Sequence, residues 1–135
     1  MNKILIVEDE DFLVRALEDN LVAEGYTVDI AKNGEKAIGK IRKKKPNLVL
    51  LDILMPKKDG FYVLEEMKKN PEWKLIPVIV LSNLGSNRGE DAAIKRAMEM
   101  GAEDYLVKSQ HPIQEVIEKV KDYLEGRKTA KHSPQ

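Results

Sequence analysis

Leu48-Val49-Leu50-Leu51-Asp52 is the stretch that decides the fold: four aliphatic residues with no polar alternate, ended by an acid. A strand wetted on one face alternates apolar and polar residues, whereas a strand covered on both faces reads as a continuous apolar run. The run therefore predicts a buried parallel strand with a carboxylate at its carboxyl end.

Working outward, Lys3 to Val7, Thr27 to Ile30, Val78 to Leu81 and Asp104 to Val107 read as four more strands. Between them the apolar spacing becomes helical. Phe12, Leu13, Ala16, Leu17 and Leu21 form one stripe, and Ile113, Val116, Ile117, Val120 and Leu124 another. Ala37, Ile38 and Ile41, then Phe61, Leu64 and Met67, then Ala93, Ala97 and Met98 mark three further helices. Gly25, Gly34 and Gly101 sit where helices end or turns tighten, Asn33, Asp59 and Asn87 where a side chain would cap free amides, and Pro112 suits the first turn of the last helix.

Strand and helix alternating five times predict an α/β fold, a doubly wound five-stranded parallel sheet with five helices. Right-handed crossovers and this length favour the flavodoxin-like strand order 2-1-3-4-5. Residues 1–125 are expected to form the domain, and 126–135, polar and without apolar periodicity, a disordered tail.

Composition narrows the function. The 135 residues are 42% hydrophobic, enough for one core, and contain no cysteine, which removes disulfides, thiolate metal sites and cysteine nucleophiles. No apolar run is long enough to span a membrane and no signal peptide is evident, so a cytoplasmic protein without membrane insertion is expected. Lys+Arg and Asp+Glu balance at 23 each, which argues against direct nucleic-acid binding through a broad positive field. The basic run Arg42 to Lys45 reads as the end of a helix, where cations complement free carbonyls.

Chemically capable residues fall at four strand ends: Glu8 and Asp9, Asp52, Ser82, and Lys108. In the 2-1-3-4-5 order the first and third strands are neighbours at the switch point, so Asp9 and Asp52 should face one crevice. Three carboxylates there repel one another unless a cation neutralises them, and Mg²⁺ suits such oxygen ligands. Asp9 and Asp52 are the expected direct ligands, with Glu8 acting through a bound water. Lys108 and the Ser82 hydroxyl are suited to the oxygens of a phosphoryl group carried on Asp52.

The runs Ile-Leu-Ile-Val-Glu-Asp-Glu (4–10), Leu-Leu-Asp-Ile-Leu-Met-Pro-Lys-Lys-Asp-Gly (50–60), Val-Ile-Val-Leu-Ser (78–82) and Gly-Ala-Glu-Asp-Tyr-Leu-Val-Lys (101–108) together resemble the receiver domain of two-component response regulators, of the stand-alone type. The resemblance covers about residues 2–125. It implies phosphorelay signal transduction, with Asp52 as phosphoacceptor, Asp9 as metal ligand, Glu8 as its acidic neighbour and the Leu54 backbone carbonyl as third protein ligand. It further implies Ser82 as switch hydroxyl, Lys108 as phosphate-binding lysine and Tyr105 as the aromatic that follows the hydroxyl. The implied partners are a sensor histidine kinase or phosphotransfer protein upstream, and a downstream protein on the face formed by the fourth helix, fifth strand and fifth helix. Such a chain is not an enzyme but a switch that assists its own phosphorylation and its slow dephosphorylation.

Several positions depart from the family pattern. Ser109 follows Lys108 where relatives carry proline, which predicts a different loop geometry for the lysine. Asn83 stands where a small residue is usual and is expected to narrow access for the phosphodonor. Leu54 and Leu84 flank the expected phosphoryl group with apolar side chains that cannot orient attacking water, so the acyl phosphate should be long-lived. His111 and His132 lie away from the crevice, and Trp73 is read as the anchor of its loop. The alternatives are a pseudo-receiver that binds partners without being phosphorylated, an aspartyl-phosphate hydrolase, disfavoured by Leu54 in place of a second acid, and a piece of a longer regulator.

Overall fold

The computed structural model describes residues 2–83 and 91–126. Along these residues run β1 (Lys3–Val7), α1 (Asp11–Ala23), β2 (Thr27–Ala31), α2 (Gly34–Lys43), β3 (Leu48–Leu51), α3 (Gly60–Lys69), β4 (Val78–Ser82), α4 (Asp91–Glu99), β5 (Asp104–Val107) and α5 (Ile113–Leu124), with a 3-10 turn over Lys108–Gln110. All paired strands are parallel and their order is β2-β1-β3-β4-β5, as the sequence predicted.

The absence of polar alternation has a direct cause. Successive strand side chains point to opposite faces, and here both faces are covered. Leu5, Val7, Val49, Leu51, Val78 and Val80 pack with Ile38 and Ile41 of α2, Val63 and Leu64 of α3 and Ala97 of α4. Their neighbours Ile4, Ile6, Leu48, Leu50, Ile79 and Leu81 pack on the other face with Leu17 and Leu21 of α1 and Val116, Ile117 and Val120 of α5.

Helix ends follow the capping signals. Asn33 accepts from the Lys36 amide at 2.8 Å, and Asp59 from the Tyr62 amide at 3.1 Å. The third expected cap, Asn87, lies outside the described residues. Pro112 occupies the N-cap of α5 in extended geometry rather than its first turn. Trp73 is buried with Leu64 and Met67 and anchors its loop as expected, with the Arg42 guanidinium over its ring. At the far end of α5, the Tyr26 hydroxyl donates to Glu125 at 2.6 Å.

Two glycines are required for different reasons. Gly25, at φ +97°, adopts left-handed backbone beyond the end of α1, in open space. Gly60 opens α3, and a Cβ there would lie 2.5 Å from the Asp52 carbonyl oxygen and 2.7 Å from Ile53 Cα. That close return, sealed by the Gly60 amide donating to the Ile53 carbonyl at 2.9 Å, holds the loop after β3 against the strand end. Gly34 likewise is not a helix end: it is the first residue of α2, and its amide donates to the Lys58 carbonyl at 2.8 Å.

Substitution by alanine separates these causes. Gly25→Ala is expected to cost about 1 kcal/mol through its backbone conformation alone. Gly60→Ala has to displace backbone and is expected to cost about 3 kcal/mol or more. Urea unfolding of both variants measures the order, and equal losses would contradict it.

Candidate functional site

The site is built by extending the sheet ladder beyond the strands. The Asp52 amide donates to the Val7 carbonyl at 2.9 Å and the Glu8 amide to the Ala31 carbonyl at 3.0 Å, so both acids leave the sheet on fixed backbone. Asp9 follows Glu8, Ser82 closes β4 opposite Val107, and Lys108 begins the turn after β5. Glu8, Asp9, Asp52 and Lys108 meet at the carboxyl edge of the sheet, the side on which its strands end, with Ser82 wholly buried at the end of β4.

Lys108 crosses the end of β4 to reach it. Its Nζ lies 3.1 Å from Asp52 Oδ2, 3.0 Å from Glu8 Oε1 and 3.6 Å from Glu10 Oε1. Glu8 and Asp52 are buried, at 2% and 4% exposure, and Ser82 is fully buried. Asp9 is exposed at the rim. Ligand oxygens of Glu8, Asp9 and Asp52 nevertheless lie within 4.8 Å of one another.

The second Asp52 oxygen, Oδ1, accepts from the Leu54 amide at 3.2 Å, and Glu8 Oε2 accepts from the Glu10 amide at 3.1 Å. Leu54 itself is 55% exposed at the crevice, while Leu84 lies outside the described residues. Tyr105 is half-buried against the core face that contains Ala97 and Ala102. His111 faces Glu115 on α5 rather than the acids, and His132 lies outside the described residues.

The electrostatics follow from burial. Loss of solvent, then the charge of Asp52, pushes Glu8 up to about 7, and Lys108 offsets only part of this. Burial also works against the Lys108 ammonium, but Asp52 and Glu8 together outweigh it and hold its pKa above the ordinary lysine value. Three carboxylates facing one lysine leave an excess of negative charge, and every donor is a hard oxygen, the donor set that a divalent cation such as Mg²⁺ takes.

Two contacts were not anticipated from the sequence. Lys108 pairs with Glu8 as well as with Asp52, and the Ser109 amide donates to Asn83 Oδ1 at 2.9 Å. The first could have been found from strand order and the reach of a lysine. The second had no sequence signal beyond two unusual residues at neighbouring strand ends. All peptide bonds among the described residues are trans, including that between Lys108 and Ser109.

Residues 4–121 match the family model for the response regulator receiver domain. The chain belongs to this family. Among curated proteins, the receiver domain is 43% identical over 110 residues to the "Probable transcriptional regulator ycf27" of Pyropia yezoensis, covering 82% of this chain and 42% of that protein. It is 35% identical over 122 residues to the alkaline phosphatase synthesis transcriptional regulatory protein PhoP of Bacillus subtilis, covering 90% and 48%. The chain thus spans less than half the length of these curated relatives. Among solved structures, it superposes with a TM-score of 0.82 and 30% identity on the signal receiver domain of a signal transduction histidine kinase from Syntrophus aciditrophicus, covering 100% of this chain and 98% of that one.

The receiver family is a family of signalling switches that typically hold Mg²⁺ in an acidic pocket, and the described residues include an acidic group formed by Glu8, Asp9 and Asp52. No helix among the described residues is long and apolar enough to cross a membrane.

The raised pKa of Glu8 predicts a pH dependence. An acid whose folded pKa lies above its unfolded value binds its proton more tightly when folded, so the stability it contributes is complete below about 4.5 and lost as pH rises through about 7. With a chelator present, the folded state is therefore expected to lose on the order of 2 kcal/mol between pH 5 and pH 8 from this group. Glu8→Gln should flatten that slope in urea melts; an unchanged slope would show that Glu8 does not titrate there.

Proposed function

We propose that this receiver domain acts in phosphorelay signalling by accepting a phosphoryl group on Asp52 from a sensor histidine kinase or phosphotransfer protein. One observation carries the reading: a buried carboxylate at the end of the most enclosed strand has a lysine ammonium at 3.1 Å and two further acids beside it. A carboxylate attacks phosphorus without a general base. The new P–O bond forms as the donor's P–N bond breaks, and the leaving imidazole nitrogen keeps the electron pair and takes a proton.

Asp9, Asp52 and the Leu54 carbonyl would hold Mg²⁺, with Glu8 acting through water, and the ion when bound supplies positive charge to the phosphoryl oxygens. Lys108, which follows β5, would supply a second positive charge to them. The Ser82 hydroxyl, at the end of β4 between them, would meet a phosphoryl oxygen. Its movement would free space that Tyr105, half-buried on the neighbouring strand, can occupy. Such a shift biases two pre-existing states by the difference in their affinity for the phosphoryl group. The outcome would be read by a downstream protein on the face of α4, β5 and α5.

Incubation with a small phosphodonor and Mg²⁺ should add one phosphate by intact mass to the native protein and none to Asp52→Ala. Equal labelling of the two would overturn the assignment of Asp52, and no labelling of either would leave a binding module that is not phosphorylated.

Leu54 offers attacking water no hydrogen-bonding guide, so the acyl phosphate is expected to persist. Mass spectrometry of the isolated phosphoprotein in Mg²⁺ measures its lifetime. Decay within minutes would contradict a protective role for this side chain.

A further inference from the structure

One contact joins two loops that bear separate parts of the site. The ladder between β4 and β5 ends with Ser82 opposite Val107. Beyond it the chain after β5 winds into the turn Lys108–Gln110. The Asn83 side chain links the two strand ends, its Oδ1 accepting from the Ser109 amide at 2.9 Å. Asn83 thus adds a side-chain rung just past the last backbone pair.

The position of this rung matters because of what Lys108 has to do. Asp52 lies two strands from β5 and Glu8 three, and neighbouring strands are about 4.8 Å apart. Lys108 therefore has to lean over the end of β4 with most of its length extended, which restricts the side-chain freedom a lysine otherwise keeps. Such a reach depends on a fixed root. The residue after the root, Ser109, is held by the residue after Ser82.

The residues at 83 and 109 are accordingly complementary. A proline at 109 has no amide hydrogen to satisfy, whereas a serine there has one. Asn83 supplies the acceptor for it. Crowding of the donor's path, the role suggested by side-chain size alone, does not account for this pairing.

We propose that Asn83 is a positioning residue, whose side-chain carbonyl clamps the Ser109 amide and thereby fixes the root of Lys108 against the strand end that bears Ser82. The kinetic consequence rests on Asp52 being the phosphoacceptor; the positional one does not.

Three variants of the full chain separate the clamp from simple bulk: Asn83→Ala removes both, Asn83→Leu keeps bulk without an acceptor, and Asn83→Asp keeps an acceptor. In the unphosphorylated protein, NMR should show the Ser109 amide exchanging about fivefold faster in the alanine and leucine variants, as expected for one modest hydrogen bond. The Lys108 Nζ resonance should move toward that of a free lysine in those two, and Asn83→Asp should restore both signals. With phosphoramidate and Mg²⁺, labelling of Asp52 should be about fivefold slower in the alanine and leucine variants and recover in the aspartate variant. In a Lys108→Ala background, Asn83→Ala should cause no further loss. Faster labelling of Asn83→Ala would indicate relief of crowding and overturn the clamp, as would unchanged amide exchange. If the native protein takes no phosphate, the reading of Asp52 fails, while amide exchange and the lysine resonance still decide the clamp.

Discussion

The structure depends on a carboxylate placed where solvent cannot neutralise it. Asp52 ends a strand of four buried aliphatic residues and is itself buried, so its charge has to be met by protein groups or by a bound cation. The available ammonium belongs to Lys108, which starts two strands away. The sheet order, with β3 and β5 on either side of β4, places it within reach: its Nζ lies 3.1 Å from Asp52 Oδ2. Glu8, on the far side of Asp52, shares that ammonium, and its burial beside another acid raises its pKa.

Holding Asp52 in place also costs backbone strain nearby. Lys57 and Lys58 both adopt left-handed backbone, at φ +46° and +53°, which costs a non-glycine residue about 1–2 kcal/mol. The strain is sustained because the loop is pinned at both sides. Gly34 of α2 grips the Lys58 carbonyl, and Gly60 closes on Ile53. Strained residues that persist beside a functional group are a recurring feature of sites that need a fixed geometry. Here the fixed element is the backbone immediately after Asp52.

The loops on the other side of the crevice are held differently. Among the described residues no glycine packs against the turn after β5; it is a 3-10 turn whose Ser109 amide donates to the Asn83 side chain. One half of the site is therefore tied by close backbone contact, and the other by side-chain contacts, those of Lys108 with the acids and that of Asn83 with the Ser109 amide.

Much of this was legible in the chain itself. Apolar runs marked the parallel strands, most plainly β1, β3 and β4, because strands covered on both faces have no polar side, and the acids, the hydroxyl and the lysine at the strand ends marked the crevice. Strand boundaries shifted by only one residue, with β2 reaching Ala31 and β4 reaching Ser82. What the sequence could not contain were contacts between residues far apart in it. Lys108 with Glu8, Asn83 with Ser109 and Gly34 with Lys58 are paired by where strands end relative to one another, and side-chain reach across neighbouring strands leaves no local periodicity to read. The sequence by itself determined which groups stand at the site, since burial patterns are local. Only the tertiary structure decided which of them touch, since that depends on distances set by the whole sheet.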